Sequence, residues 1–248
     1  MTLPELVPRA SENLLATYLA LGRELPGAEI VQNDGYLALL SDLPHPSGNF
    51  ASRLRLDPWT AAELRDLAAS RLAFQAVALP DDGPEHLDEL LQRAGFRISM
   101  RLVTMVASPS EARSDLAMLP CEGEIARRRI ARFMADSFFA HEPHKLREAM
   151  AKALGRAEAL SIYAHHVREK PTAAVALVRE AEMMGVYNLC VAGPRRGKGH
   201  GSAVIAWCLA QAAAERLPVC LQCAASLEPW YARHGFVRVG SVGVWSLV

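Results

Sequence analysis

The chain has 248 residues, which is enough for one large domain or two small ones with a sizeable buried core. Lys and Arg together number 27, as do Asp and Glu, so no overall field favours nucleic acid or an anionic membrane. With balanced charge, the expected partner is a small molecule. No signal peptide pattern and no long uncharged apolar stretch is visible, which predicts a cytoplasmic protein.

Five scattered cysteines suit buried thiols in a reducing compartment. Cys220 and Cys223 have the spacing of a metal-binding pair, but they fall on a predicted strand, where residues three apart point to opposite faces. No second pair follows them, so we expect no metal site.

The first half of the chain alternates predicted strands and helices, with turn residues between them. Ser11 is the expected N-cap of the first helix. The predicted elements are a helix over 11–24, strands over 28–32, 36–41 and 49–56, a helix over 59–70, a strand over 72–78, a helix over 84–94 and a strand ending near 107.

The second half repeats the order strand, loop, helix, strand, helix, Gly-Phe, strand, which indicates two related halves. Its predicted elements are helices over 122–139 and 145–154, strands over 160–167, 172–179 and 183–191, a helix over 202–216 and a strand over 219–223. Small and polar residues after Ala107 predict a connector. We therefore place one domain at residues 1–107, the connector at 108–118 and a second domain at 119–248.

The segment from Val191 to Ser202, VAGPRRGKGHGS, joins an apolar strand to a long helix through glycines and basic residues. The first N–H groups of a helix lack carbonyl partners and lie at the positive end of its dipole, so such a turn can hold a phosphate ester. Gly197, Gly199 and Gly201 carry no Cβ that would keep an anion from the backbone, and they allow positive φ angles.

Three phosphate loops can be compared with this segment. A Walker loop requires four residues between its first glycine and Gly-Lys-Ser/Thr, whereas only three separate the first two glycines of this segment. A dinucleotide fingerprint fits Gly197 and Gly199 but requires glycine where Ser202 stands. The pattern Arg/Gln-x-x-Gly-x-Gly/Ala is met by Arg196, Gly199 and Gly201. The remaining alternative is a glycine-rich turn with solvated arginines.

With that third pattern, the sequence resembles the GNAT superfamily of acyl-coenzyme A-dependent N-acyltransferases, whose pyrophosphate loop has this form. A second motif agrees with the resemblance, because Tyr231 stands on a short predicted helix and Gly235-Phe236 follows four residues later. The resemblance covers the chain from about Glu122 onward.

The resemblance implies an α/β (α+β) fold with two GNAT-like mixed β-sheet domains flanked by helices. The first half shares only the order of elements and has Asp57-Pro58 where the loop glycines would be, so a diphosphate would meet negative charge there. We therefore expect a degenerate first half that binds no coenzyme and serves as scaffold, interface or wall of the acceptor groove.

The resemblance also implies that acetyl-coenzyme A is the co-substrate and that no metal takes part. The strand before the loop would splay from its neighbour, pair its backbone with the pantetheine arm and donate an N–H near Leu189 to the thioester carbonyl. His200 is expected to be exposed and to contribute its backbone N–H alone. The implied coenzyme-binding residues are Leu189, Cys190, Val191, Arg196, Gly197, Lys198, Gly199, His200, Gly201 and Ser202.

In the implied reaction a neutral amine attacks the thioester carbonyl and a thiolate leaves. Tyr231 is the expected proton donor, because a phenol with a pKa of about 10 stays protonated at neutral pH and a thiol has a pKa of about 8.5. The alternative is a core tyrosine that packs beside Trp230 and Phe236.

The acceptor ammonium must lose a proton before it attacks. Glu182, at the start of the splayed strand, is the expected catalytic base, and Glu180 and His165 are the alternatives. The segments that border the acceptor groove in the superfamily carry four candidate substrate-binding residues in this chain, which are Phe138, Phe139, His141 and Tyr163.

The expected function is therefore acetyl transfer from acetyl-coenzyme A to a primary amine of a small molecule or peptide, with Tyr231 and Glu182 as catalytic residues. The alternative is a non-catalytic acyl-coenzyme A sensor or scaffold that keeps the loop and lacks turnover. Nothing in the sequence fixes the oligomeric state or the amine.

Overall fold

The computed structural model describes residues 2–111 and 114–248. In the first half, the strands and helices follow the predicted order. They are α1 (Leu3–Gly22), β1 (Glu29–Gln32), β2 (Leu37–Leu40), β3 (Phe50–Ser52), α2 (Pro58–Ala69), β4 (Gln75–Ala78), α3 (Leu87–Arg93) and β5 (Phe96–Ala107). The predicted connector includes Ala112 and Arg113, which lie outside the described residues.

The second half also follows the predicted order, with one additional two-residue strand at its beginning. Its elements are β6 (Leu119–Pro120), α4 (Gly123–Phe138), α5 (His144–Arg156), β7 (Ser161–Val167), β8 (Lys170–Glu180), β9 (Met183–Val191), α6 (His200–Glu215), β10 (Val219–Ala224), α7 (Glu228–Ala232) and β11 (Val237–Leu247).

The first helix begins eight residues earlier than predicted. The backbone N–H of Thr2 donates to the Glu5 carboxylate at 2.9 Å, and Pro4 occupies the first turn, where its missing N–H is harmless. Ser11 is therefore not an N-cap. It lies inside α1 and donates its hydroxyl to the Val7 carbonyl oxygen at 3.1 Å.

The described strands form one sheet of eleven, whereas the sequence predicted a sheet for each half. The strand order is β1-β2-β3-β4-β11-β5-β10-β9-β8-β7-β6, with parallel pairing at β3–β4 and β9–β10 and antiparallel pairing elsewhere. The α/β fold class with a mixed sheet flanked by helices is confirmed.

The two halves exchange strands at the centre of the sheet. β5 of the first half lies between β10 and β11, and β11 of the second half lies between β4 and β5. The β5–β11 ladder is the longest contact between the halves and runs from Val237 opposite Val106 to Leu247 opposite Phe96. Each half offers a single strand after its last helix, so the exchange covers edges that would otherwise be unpaired.

Helices cover both faces of the sheet. On one face, which we call the α1 face, Leu14 and Leu15 of α1 share a buried cluster with residues of α4 and α5. On the opposite face, which we call the α6 face, Val204, Ile205 and Cys208 of α6 pack on β8, β9 and β10. Among the helices described, none is both long and apolar enough to span a bilayer.

Asn13, a fully buried residue of α1, links the first half to the β8–β9 hairpin through hydrogen bonds. The Asn13 side-chain amide donates to the carbonyl oxygens of Glu180 at 3.0 Å and Val178 at 3.2 Å. Its Oδ1 atom accepts a hydrogen bond from the Tyr187 hydroxyl at 2.8 Å. These bonds hold the start of β9 in a fixed position.

Candidate active site

A wedge opens between β9 and β10. The two strands pair only at Met184 with Val219 and at Gly185 with Cys220. Beyond these pairs β10 continues along β5 and β9 continues along β8, so the facing edges of β9 and β10 diverge towards Val191. The structure thus has the splayed strand that the resemblance implied, with Leu189, Cys190 and Val191 in its open part.

A β-bulge lies at the open end of this wedge. The β8–β9 register shifts between the pairs Ala174–Cys190 and Ala176–Tyr187, and Asn188 has a φ of 49°. Asparagine tolerates this left-handed conformation better than most residues. The bulge bends β9 and re-aims its backbone groups towards the wedge.

The loop after β9 presents a run of free amides. Within the described residues, no acceptor receives a hydrogen bond from the backbone N–H groups of residues 197–202, and the first helical bond runs from Ala203 to Gly199 at 3.0 Å. Gly197 has a φ of 73° and Gly199 a φ of 80°. The two glycines curl the backbone into a concave surface of N–H groups at the positive end of α6, which is an anion-binding geometry.

The side chains of the loop add positive charge around these amides. Arg196 folds back and donates Nε–H to the Val191 carbonyl oxygen at 3.0 Å, and Lys198 is exposed. His200 was expected to be exposed, but it is half-buried and its ring stacks on that of His165, with centroids 6.3 Å apart. The loop therefore combines oriented amides with two positively charged side chains.

Tyr231 lies on the α6 face, beside the wedge. Its ring packs edge-on against Trp230 at 4.7 Å and Phe236 at 5.7 Å, in the same cluster as Leu189 and Val191. The packing that was expected of a core tyrosine is thus present, and it holds the phenol near the open strand.

Burial, with smaller effects from the thiols of Cys223 and Cys208, raises the pKa of Tyr231 to about 12. A raised pKa keeps the phenol protonated throughout the physiological range. The hydroxyl can therefore donate a hydrogen bond to a sulfur atom that gains negative charge.

Trp230 and His234, which sequence reasoning did not assign to the site, connect α7 and the residues after it to the loop. The Nε2 atom of His234 lies 3.2 Å from the Ser202 hydroxyl, and the rings of Trp230 and His234 are 5.0 Å apart. A Cβ on Gly201 would lie 3.4 Å from Trp230, so this glycine allows close packing rather than a positive φ. The feature of the sequence that could have identified these two residues was the cluster of aromatic residues around Tyr231.

Glu182 does not lie in this site. It forms the exposed turn between β8 and β9 and is ion-paired with Arg9 of α1. Leu189 follows it by seven residues, which is roughly 20 Å along an extended strand, and the paired part of β9 and β10 lies between them. The prediction of Glu182 as the catalytic base relied on its closeness in sequence and did not take into account that it lies at the closed end of the wedge.

The alternatives to Glu182 are also outside the wedge. Glu180 is exposed at the same hairpin. His165 is on β7, where its Nδ1 atom lies 3.2 Å from the Ala117 carbonyl oxygen. None of the three proposed bases therefore faces the bulge.

A cavity of about 200 Å³ lies on the α1 face and reaches the bulge residue Asn188. Phe139, one of the candidate substrate-binding residues, lines this cavity. Phe138 and His141 are instead exposed, and Tyr163 is on the opposite face, 4.7 Å from the Trp207 ring. Of the four candidate substrate-binding residues, the structure brings only Phe139 to the cavity.

The first half of the chain supplies much of the cavity wall. Ser47 precedes β3, Phe50 begins β3 and Gln75 begins β4, and all three line the cavity together with Tyr18 of α1. The cavity and the free amides thus lie on opposite faces of the sheet, with the β9–β10 wedge between them.

The overall fold is shared with solved structures. A GCN5-related N-acetyltransferase from Kribbella flavida is similar with a TM-score of 0.67 and 16% identity, covering 94% of each chain. A putative GNAT-family acetyltransferase from Novosphingobium aromaticivorans has a TM-score of 0.59 and 18% identity over 88% of this chain and 91% of its own. A tandem GNAT protein from the clavulanic acid biosynthesis pathway has a TM-score of 0.59 and 12% identity over 89% of this chain and 83% of its own.

At these identities the structural likeness establishes the fold, which is that of the GNAT acetyltransferases. A family model described as "Acetyltransferase (GNAT) domain" matches residues 126–245. Residues 126–245, slightly under half of the chain, are thus similar to a GNAT acetyltransferase domain. A search of curated proteins finds no significant match.

Proposed function

We propose that this protein transfers an acetyl group from acetyl-coenzyme A to the primary amine of a small molecule. The observation that carries the proposal is the concave run of free amides at residues 197–202, next to the open wedge between β9 and β10. A diphosphate suits that run of amides, because anions bind where a helix N-terminus and a nest of N–H groups coincide.

With the diphosphate at the loop, the pantetheine arm would enter the wedge between β9 and β10. The unpaired edge of β9 would bond to its amides as an added strand does. The bulge at Asn188 and Leu189 would aim a backbone N–H at the thioester carbonyl, where negative charge develops when the amine attacks.

The amine nitrogen would form a bond to the carbonyl carbon, and the carbon–sulfur bond would then break. The proton lost by the nitrogen would pass through solvent to the departing thiolate, which gives an amide and a thiol. Tyr231 is on the same face as the loop, so its hydroxyl would donate to the departing sulfur. With a pKa of about 12, this phenol is a weaker acid than the thiol. Its main contribution would therefore be a hydrogen bond to the sulfur while charge accumulates there.

No role is proposed for Glu182, because it is exposed, ion-paired with Arg9 and remote from the bulge. The first half would act as a wall of the acceptor site through Ser47, Phe50 and Gln75.

The test combines binding with turnover. Titration calorimetry with acetyl-coenzyme A should give a measurable heat, and thiol release should be observed with at least one amine in a panel. Binding without thiol release for any amine would favour an acyl-coenzyme A sensor. A failure to bind acetyl-coenzyme A would remove the proposal altogether.

A further inference from the structure

The cavity on the α1 face has a lining that is mainly apolar and aromatic. It contains two aromatic rings in edge-on contact, Tyr18 and Phe50, with centroids 5.6 Å apart. Six of its lining side chains are apolar or aromatic, and these are Tyr18, Leu21, Phe50, Phe139, Met150 and Leu154.

The polar part of the lining is uncharged. Ser47, Gln75 and Asn188 contribute hydroxyl or amide groups, and no carboxylate or cation of the described residues is among the lining side chains. Burial raises the pKa of Tyr18, so its hydroxyl is neutral at physiological pH.

The rim of the cavity carries one ionisable pair. His45 packs edge-on against Phe139 at 5.7 Å, accepts the Ser47 N–H at Nδ1 and places Nε2 3.9 Å from a carboxylate oxygen of Glu142. Burial lowers the pKa of His45 despite that carboxylate, which keeps the ring neutral at and above pH 7.

From this geometry we infer that the acceptor is an amine on an uncharged, apolar body of about one ring, which binds as the free base. The inference rests on the proposed function and specifies its substrate class. A cavity of about 150 Å³ lined by apolar side chains accommodates benzene, so one of about 200 Å³ can hold a ring with a short side chain.

The uncharged lining of the cavity is the reason why the amine must bind as the free base. An ammonium group without a carboxylate partner is strongly disfavoured in an apolar cavity, so entry lowers the pKa of the amine and releases its proton. The cavity itself thus performs the deprotonation for which Glu182 was expected. Asn188 is the polar lining residue at the bulge, so the nitrogen is directed there.

The first test compares two probes on the wild-type protein. With acetyl-coenzyme A, 2-phenylethylamine should give a kcat/KM at least tenfold higher than 1,4-diaminobutane. For 2-phenylethylamine, kcat/KM should rise about tenfold per pH unit between pH 7 and 9, because an amine with a pKa near 10 is mostly protonated there. A preference for the diamine, or a flat profile, would overturn the inference while leaving acetyl transfer intact.

The second test places a carboxylate in the lining. Gln75→Glu should lower kcat/KM for 2-phenylethylamine and raise it for 1,4-diaminobutane, each by about tenfold, because the new charge stabilises a cationic partner. Gln92→Glu, at an exposed position of α3, makes the same charge change outside the cavity and should leave both values unchanged. Equal effects of the two variants would contradict the inference.

Binding measurements keep the inference testable if no turnover is found. Calorimetry on the coenzyme A-loaded wild-type protein should detect 2-phenylethylamine and not 1,4-diaminobutane at equal concentration. That result without thiol release would support the cavity assignment and reject acetyl transfer. Binding of the diamine alone, or of neither probe, would reject the cavity assignment.

Discussion

At the scale of single residues, Tyr231 is the side chain whose chemistry can be isolated most cleanly. Tyr231→Phe keeps the ring contacts with Trp230 and Phe236 but removes the hydroxyl. We expect kcat to fall by about 10²-fold or more, with the affinity for acetyl-coenzyme A unchanged. Steady-state kinetics and calorimetry measure the two quantities.

The matched control for this variant is Tyr163→Phe, which removes a hydroxyl from a tyrosine packed on Trp207 elsewhere on the same face. It should leave kcat unchanged. Because the pKa of Tyr231 is about 12, its ionisation should cause no loss of kcat below about pH 11. Equal kcat in wild type and Tyr231→Phe would remove the phenol from the mechanism.

A second residue-scale prediction concerns the backbone of the loop. Gly199→Ala places a Cβ at a φ of 80°, which costs about 1–2 kcal/mol, and sets a methyl group among the free amides. We expect coenzyme affinity to fall at least tenfold by calorimetry. Gly193→Ala is the control, because that position is equally open but lacks a positive φ. Identical affinities for the two variants would contradict an amide-based diphosphate site.

At the scale of elements, the contact between α1 and the β8–β9 hairpin depends on Asn13. Asn13→Ala would leave buried carbonyl groups and the Tyr187 hydroxyl without their partner. We expect the free energy of unfolding to fall by about 2–4 kcal/mol, because unpaired buried polar groups keep their desolvation cost. Urea unfolding monitored by circular dichroism gives this value.

Thr17→Val is the corresponding control within α1. Thr17 is also buried, and its hydroxyl donates to the Asn13 carbonyl oxygen within the same helix, at 2.8 Å. Its loss should lower the free energy of unfolding by about 1 kcal/mol or less. A similar loss in both variants would show that the bridge to the hairpin adds nothing beyond a local hydrogen bond.

At the scale of the whole molecule, the exchanged strands make the two halves interdependent. β10 pairs with β9 and β5, while β11 pairs with β4 and β5, so the second half alone lacks the strand between β10 and β11. We therefore expect a fragment of residues 119–248 to be unfolded or aggregated, although it contains the loop and Tyr231.

Co-expression with residues 1–107 should restore a soluble one-to-one complex that binds acetyl-coenzyme A. Circular dichroism and size-exclusion chromatography report on both fragments. A folded, monomeric 119–248 fragment that binds the coenzyme would show that the second domain is self-sufficient and that folding does not require the exchanged strands.

Much of the site could be predicted because it depends on local rules. β9 was predicted at its observed bounds from one apolar run, and the loop was found from its glycines, basic residues and position before a helix. These features are encoded within about twenty consecutive residues. The order of elements followed from the same local patterns, whereas the GNAT domain was inferred from the resemblance of the loop and of the Tyr231 motif to that family.

The rest depended on contacts that are distant in sequence. The sequences of β5 and β11 do not indicate that each strand inserts into the other half of the sheet. Their alternating patterns would suit pairing with strands of either half. Tyr163 and Phe139 were grouped by the segments they occupy, but the sheet separates them. The cavity brings α1, β3 and β4 to the bulge of β9, and a local pattern cannot show such a juxtaposition.

The position of β11 also bears on how the chain folds as it leaves the ribosome. Its residues, Val237–Leu247, follow the other ten described strands in the sequence, yet they occupy the middle of the sheet. Until they emerge, β4 and β5 have exposed inner edges that can pair with other nascent chains. The chain should therefore be more prone to aggregation before β11 emerges than after it, and ribosome-bound chains stalled before residue 237 should recruit chaperones that chains extended past β11 do not.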